Sequence, residues 1–504
     1  MQIVSRTRLF PTSPQKPTNA SLSILDSRVL RYAPSAGIWI FKDAPSVEEL
    51  SVSLKIALDS YPQWSGQLQW APYDPSGDHT QRFQRLMLAY GTSDAPGVEF
   101  IIATSSCSTS SFAGKPVDGC TNAGVLPYHE LIDGRTPLAF HDAVSYVGLP
   151  SLIIQITTLA DDGVAIGLKF AHPLADAQTM LYFTKDWAAV SRAIRMQKPP
   201  PVLSPIFDPL LIDRAAAGDI DGLNPSPSIL EATRELPLHR YDCWNSKLHC
   251  PPFLQSLTTI PPEVESTVNH FGQPIDWTTW DYTASVSYYL VEFSAGELHA
   301  MWEEANFFSR VSHLNALQAH IWNLIIRARK FVDGECYLDV LLGFRNRLNP
   351  PLPTSFLGSP LTTIKVTADT KDAAGLELGP MAASIRSALN AFDASTLPAL
   401  LHELAFEVSP LRTWTAFFGS RNIIFTSWLH EELRMQDMDF GTGSPTHVEA
   451  VIPRIDGCVQ VMDTNERGPQ AKAWYENGAT VCLNLKDDVM QSILSDPALR
   501  KYRR

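Results

Sequence analysis

A histidine followed four residues later by an aspartate occurs twice in this chain, at His172/Asp176 and at His129/Asp133. Imidazole is the side chain best suited to take up and return a proton near neutral pH, so each pair is a candidate site for general-base chemistry. Spacing alone is a weak signal, and context separates the two copies. His172 closes the run Gly163-Val-Ala-Ile-Gly-Leu-Lys-Phe-Ala-His, in which Val164, Ile166, Leu168 and Phe170 alternate with smaller residues and one lysine. That is the period of a strand with one packed face. His172 keeps the apolar parity, which predicts a ring pointing inward with Phe170, where Pro173 stops further pairing. His129 follows Pro127-Tyr128 in a stretch without alternation, although Gly134 completes a fuller form of the pattern. His172 is therefore the candidate base, and a packed core histidine is the competing reading.

The elements that must hold this histidine are legible around it. Ser151 to Ala160 joins the motif strand through Asp161-Asp162-Gly163, a hairpin signature. Ala177 opens a helix whose Met180, Phe183, Trp187, Val190 and Ile194 fall at three- and four-residue steps, the stripe of a core-facing helix. Upstream, after a Ser/Thr/Pro-rich start, strands are expected over 37–41, 68–73, 85–90 and 98–103, and Ser46-x-x-Glu49 is a capping box opening a helix. Residues 198–262 are punctuated by prolines and lack periodicity, which predicts a connection with no core of its own. Beyond it come a strand over 285–293, a helix capped by Ser294-x-x-Glu297 and a helix over 312–330. Strands over 339–347, 423–428, 448–454, 457–462 and 479–485 precede a last helix from Asp487. Hairpins and amphipathic helices in both halves predict an α+β protein of two similar domains, 1–197 and 263–504, joined by the 198–262 crossover.

At 504 residues the chain is too long for one ordinary core. Forty Lys and Arg face 53 Asp and Glu, a formal charge of -13 that argues against nucleic acid or an anionic membrane as partner. Seven scattered cysteines contain no Cys-x-x-Cys pair, so no disulfide framework and no metal site are expected. The amino terminus lacks the apolar core of a signal peptide and no stretch reaches membrane-spanning length, which predicts a cytoplasmic protein. Gly-x-Ser-x-Gly, His-Glu-x-x-His and Walker motifs are missing.

With these residues in view, the chain resembles the BAHD acyl-CoA-dependent acyltransferases, and within them the fungal branch that includes the trichothecene 3-O-acetyltransferases. His172 and Asp176 match the family's His-x-x-x-Asp, and Asp439-Phe440-Gly441-Thr442-Gly443 matches its Asp-Phe-Gly-Trp-Gly. Tyr61-Pro62-x-x-x-Gly66, Phe344-Arg345-x-Arg347-x-x-Pro350-Pro351-Leu352-Pro353, Phe356-x-Gly358 and Thr426-Ser427-Trp428 match in the family's order. Ala171, Ala177 and Thr442 depart from the usual histidine, glycine and tryptophan. The resemblance implies two chloramphenicol-acetyltransferase-like domains with mixed sheets flanked by helices, and a tunnel between them. It implies His172 as general base and no covalent intermediate. Thr426 and Trp428 become oxyanion donors, sharing parity on their strand, and Asp176 pairs with Arg345. Asp439, Gly441 and Gly443 become structural. Acetyl-CoA or another short acyl-CoA is the co-substrate, no cofactor is permanently bound, and a hydroxylated terpenoid or polyketide is the acceptor of a monomeric enzyme. Rival readings are an N-acyltransferase or condensation-type enzyme on the same fold, and a non-catalytic binding protein that keeps it.

Overall fold

A computed structural model of the chain describes residues 1–268, 271–370, 377–429, 433–464 and 473–503. Two mixed sheets dominate it. The first has six strands in the order β1 (Gln2–Leu9), β6 (Val98–Thr104), β8 (Leu152–Thr158), β9 (Val164–Phe170), β3 (Ser35–Phe41) and β16 (His447–Val451). The second has seven: β13 (Leu361–Asp369), β12 (Glu335–Gly343), β15 (Asn422–Ser427), β17 (Cys458–Asp463), β18 (Ala479–Lys486), β11 (Val286–Phe293) and β7 (Cys120–Asn122). β6 and β8 run parallel, as do β12, β15 and β17, while the other neighbours are antiparallel. A three-stranded sheet, β2 (Thr18–Ser21), β5 (Leu86–Tyr90) and β4 (Gln67–Trp70), and the ribbon of β10 (Tyr241–Asp242) with β14 (Thr413–Trp414) complete the pairing.

Each large sheet borrows a strand from the other half of the chain. β16, from the carboxy-terminal half, pairs antiparallel with β3, and β7, from the amino-terminal half, pairs with β11.

The helices form where sequence provides both a cap and a stripe. Capping boxes at Ser23/Asp26, Ser46/Glu49, Ser294/Glu297 and Ser312/Asn315 start α1 (Ile24–Arg28), α2 (Val47–Leu58), α6 (Ala295–Phe308) and α7 (His313–Arg329). Asp176 caps α3 (Ala177–Arg195), whose Met180, Phe183, Trp187 and Val190 are buried. Between α3 and α6 lie α4 (Leu210–Asp213) and α5 (Pro227–Thr233); α8 (Leu378–Asn390), α9 (Leu397–Ala405) and α10 (Asp487–Leu494) follow α7. No helix among the described residues is long and apolar enough to cross a membrane.

The hairpin of β8 and β9 forms as expected, with Asp162 in the left-handed region at φ +63°. Gly167 in β9 is required by contact: a Cβ there would meet the Leu131 carbonyl oxygen at 2.2 Å, so the loop carrying His129 lies directly on this strand. The opening residues form the edge strand β1. Two expectations are corrected. The expected 339–347 strand begins earlier, at Glu335, and ends at Gly343, where Phe344 turns away to bond Pro360 O. The 198–262 crossover is not coreless: Tyr241, Trp244 and Leu254 pack with Ile275, Trp277 and Phe417 in an apolar cluster of their own.

Candidate active site

Between the two large sheets lies a cavity of about 850 Å³. It brings together residues far apart in sequence, and strand alternation decides which ones. In β15, Ile423 and Phe425 are buried in the carboxy-terminal core, while Ile424 and Thr426 face the cavity together with Trp428. Trp428 is held in line by its backbone N–H, which donates to Val461 O at 2.8 Å. From the opposite side, the turn after β9 contributes His172 and Asp176.

The pleat of β9 does not carry His172 inward as expected. β9 ends at Phe170, which packs against Trp64 and Phe183, and His172 instead opens a single 3-10 turn, His172–Leu174. Pro173 fits the start of such a turn but cannot continue a strand. The ring therefore reaches the cavity and not the packed core. Tyr32 meets it edge-on, with ring centroids 5.6 Å apart.

Burial holds the His172 imidazole below its ordinary pKa of 6.5, a shift that the nearby Asp176 charge only partly opposes. The ring is thus neutral at neutral pH. Its tautomer follows from Ser359. The Ser359 hydroxyl donates its one proton to the His172 carbonyl oxygen at 2.5 Å, and its oxygen lies 3.2 Å from Nδ1. With that proton committed, Ser359 Oγ accepts from Nδ1–H, which leaves Nε2 with the free lone pair. Ser359 is itself fixed by its backbone N–H, which donates to Asp26 Oδ1 at 2.7 Å. Burial pushes the Asp26 carboxyl up to about 7.

Asp176 faces a different task. Arg345 grips its carboxylate with both terminal nitrogens, Nη2 reaching Oδ1 at 3.0 Å and Nη1 reaching Oδ2. The same carboxylate accepts the Thr179 N–H at 2.9 Å, capping α3. Arg345 Nη2 also bonds Thr179 Oγ1 at 2.9 Å and Gly358 O at 3.2 Å. The pair is buried, bidentate and fastened to the loop that carries Ser359.

The Asp439-to-Gly443 loop lies away from the cavity. Asp439 Oδ1 accepts the backbone N–H groups of Gly441, Thr442 and Gly443 at 2.7, 3.1 and 2.9 Å. Gly441 and Gly443 adopt φ of +110° and +106°, a region closed to other residues without strain. Phe440 meets Trp187 edge-on at 4.8 Å, and Arg192 donates to Asp439 O at 2.6 Å, so the loop clasps the far end of the helix that Asp176 caps. Thr442, where the family motif has tryptophan, is half-buried and its hydroxyl donates to Asp43 O at 2.7 Å.

His129 is exposed and outside the cavity, and its motif partner Asp133 is a buried counter-ion for Arg6 at 2.5 Å. Sequence reasoning missed Ser359, Tyr32, Arg31 and His141, all near the histidine or along the cavity wall. None carries a motif. The one trace was that Ser359 follows Phe356-x-Gly358. Among the described residues, Asp78, His79 and Asp221 lie close enough to share an ion. They stand apart from the cavity lining, and the His79 nitrogens already engage Asp221 at 2.7 Å and Asp213 at 3.1 Å.

A family model described as the Transferase family matches residues 1–220 and 269–498. The acyltransferase AFT15-1 of Alternaria alternata is 26% identical over 508 residues, covering 96% of this chain and 94% of its own. Acyltransferase abl6 of Leptosphaeria maculans is 23% identical and covers 99% and 98%. The structure of F. graminearum TRI101 complexed with coenzyme A and deoxynivalenol shares the fold, with a TM-score of 0.64 at 14% identity over 96% of this chain and 99% of that one.

Proposed function

The chain belongs to this Transferase family, the BAHD acyl-CoA-dependent acyltransferases, on its fungal branch, and on that premise we propose that it is an O-acetyltransferase of a hydroxylated specialised metabolite. The observation that carries the reading is the meeting of a neutral histidine with Thr426 and Trp428 in one cavity between the two sheets.

In this reading Nε2 of His172 takes the acceptor's hydroxyl proton as the oxygen attacks the thioester carbon of acetyl-CoA or another short acyl-CoA. The C–S bond then breaks, and the imidazolium returns the proton to the departing coenzyme A sulfur. No covalent bond to the enzyme is required. The Thr426 hydroxyl and Trp428 indole N–H act on the oxyanion formed between these steps, where one donor contributes about 3 kcal/mol of transition-state stabilisation. Asp176 and Arg345 hold the loops of the site without touching the proton, and Asp439, Gly441 and Gly443 shape the distant clasp. Residues 1–197 and 263–504 form the two acyltransferase domains of a monomeric cytoplasmic enzyme, with 198–262 crossing between them and no metal required.

The test is release of free thiol from acetyl-CoA in the presence of a panel of hydroxylated terpenoids and polyketides. Acceptor-dependent release that disappears in His172→Ala is expected. Acyl transfer to amines in preference to alcohols would replace O-acylation by N-acylation, and no release with any acceptor would leave a binding protein on this fold.

A further inference from the structure

One wall of the cavity carries a cation that no carboxylate among the described residues pairs with. Arg31 stands on the turn between α1 and β3. Its guanidinium carbon lies 4.5 Å from the centre of the Trp414 ring, and Nη1 donates to Leu411 O at 2.6 Å. The charges it feels come from Tyr32, Cys243 and Arg28, and no carboxylate among the described residues pairs with it. Arg31 is half-buried. Among the arginines with buried side chains, Arg345 is compensated by Asp176, Arg412 by Asp242, Arg329 by Asp456 and Arg85 by a set of backbone carbonyls, while Arg28, outside the cavity lining, feels the charges of Glu407 and Glu403. Burial draws Arg31 down to about 10, which leaves it charged at neutral pH. Beside it on the cavity wall is His141, whose Nδ1 is buried without a hydrogen-bond partner. Burial and the Arg31 charge push that imidazole down to about 4, so it stands as a neutral donor or acceptor.

A buried charge without a partner is costly, and a cavity that keeps one is matched to a ligand of opposite charge. The surrounding wall is apolar and aromatic, with Tyr32, Phe253, Trp280, Trp414 and Phe418. Tyr32, the next residue along, packs on the ring of His172, so the cation adjoins the residue that touches the base. The phosphates of coenzyme A are the other anions such a cation could take, and the acid-to-ester comparison below separates them from a carboxylate on the acceptor. We propose that Arg31, with His141 beside it, receives a carboxylate on the acceptor, which makes the acceptor an apolar hydroxy acid. The word acceptor rests on the acyltransferase reading; the anion site itself does not.

Binding measured by intrinsic tryptophan fluorescence separates the two, since Trp414 lies against Arg31. The probes are 12-hydroxydodecanoate and 3-(4-hydroxyphenyl)propanoate, each compared with its methyl ester. Wild type should bind each acid roughly tenfold or more tightly than its ester, the scale of one charge-assisted hydrogen bond. Arg31→Met should bring that ratio close to one, Arg31→Lys should keep part of it, and His141→Phe should reduce it. Should Arg31→Met fail to fold by circular dichroism, Arg31→Gln provides the same comparison. Equal binding of acid and ester by wild type, or an undiminished ratio in the folded variant, overturns the proposal. So does a weakened affinity for acetyl-CoA with the acid-to-ester ratio intact, which would assign the guanidinium to the donor's phosphates. A clear acid preference with no acetyl-CoA consumption would sustain the anion site and sink the acyltransferase reading.

Discussion

At the scale of single residues, the two His-x-x-x-Asp copies make opposite predictions. His172→Ala should lower turnover by about 10²–10⁴-fold, the usual cost of losing a general base, while His129→Ala should stay near wild type because its ring is exposed and outside the cavity. A reversed ranking in steady-state assays would reject the assignment. The pH profile follows from the same ring. Because burial depresses the His172 pKa below 6.5, the neutral form needed to take a proton persists to lower pH, and the acid limb of kcat/KM should fall below that value. Ser359→Ala removes the acceptor that holds the proton on Nδ1. It should lower kcat and leave the KM for acyl-CoA largely unchanged, since it acts through the base and not on the donor. Thr426→Val keeps shape and loses a hydroxyl, and a fall in kcat with unchanged folding is expected there too. His172 was legible because a strand, a proline and a helix start surround it. Ser359 was not, since a lone serine far along the chain is defined only by what the fold brings to it.

At the scale of elements, one ion pair fastens the start of α3 to the loop after β12. Removing one partner of a buried pair typically costs roughly 3–5 kcal/mol, because the other charge is left uncompensated. Asp176→Ala and Arg345→Ala should each shift the midpoint of urea unfolding strongly, and the double variant should lose far less than the sum. His172→Ala should leave that midpoint in place. Additive small shifts would mean that the pair contributes nothing. Helix starts were readable because Ser46/Glu49 and Ser294/Glu297 satisfy backbone donors locally. β13 and α8 were not read. β13 mixes buried threonines with apolar residues, so its strict alternation is blurred, and α8 has no side-chain cap. In the crossover, prolines hid Tyr241, Trp244 and Leu254, whose partners Ile275, Trp277 and Phe417 lie outside it. Local pattern cannot announce contacts of that range.

At the scale of the whole molecule, the net charge argues against nucleic acid or an anionic membrane as partner without indicating how the halves interlock. That interlocking bears on how the protein comes off the ribosome. The strands of the first large sheet up to β9 are complete by residue 170, yet the β16 partner of β3 ends at residue 451. At about 5–20 residues per second, the roughly 280 residues between them take about a quarter of a minute to a minute to synthesise. Throughout that interval the nascent chain presents the β3 edge unpaired, and β7 has no β11 beside it until residue 293 has been made. An open apolar edge is a template for pairing with other chains. A fragment of residues 1–197 made alone should therefore partition into the insoluble fraction, and co-expression with 198–504 should return it to the soluble one. Recovery of the lone fragment as a soluble monomer would show that the borrowed strand is dispensable. Slowing elongation late in the message should lower the yield of folded protein, while slowing it after residue 451 should not.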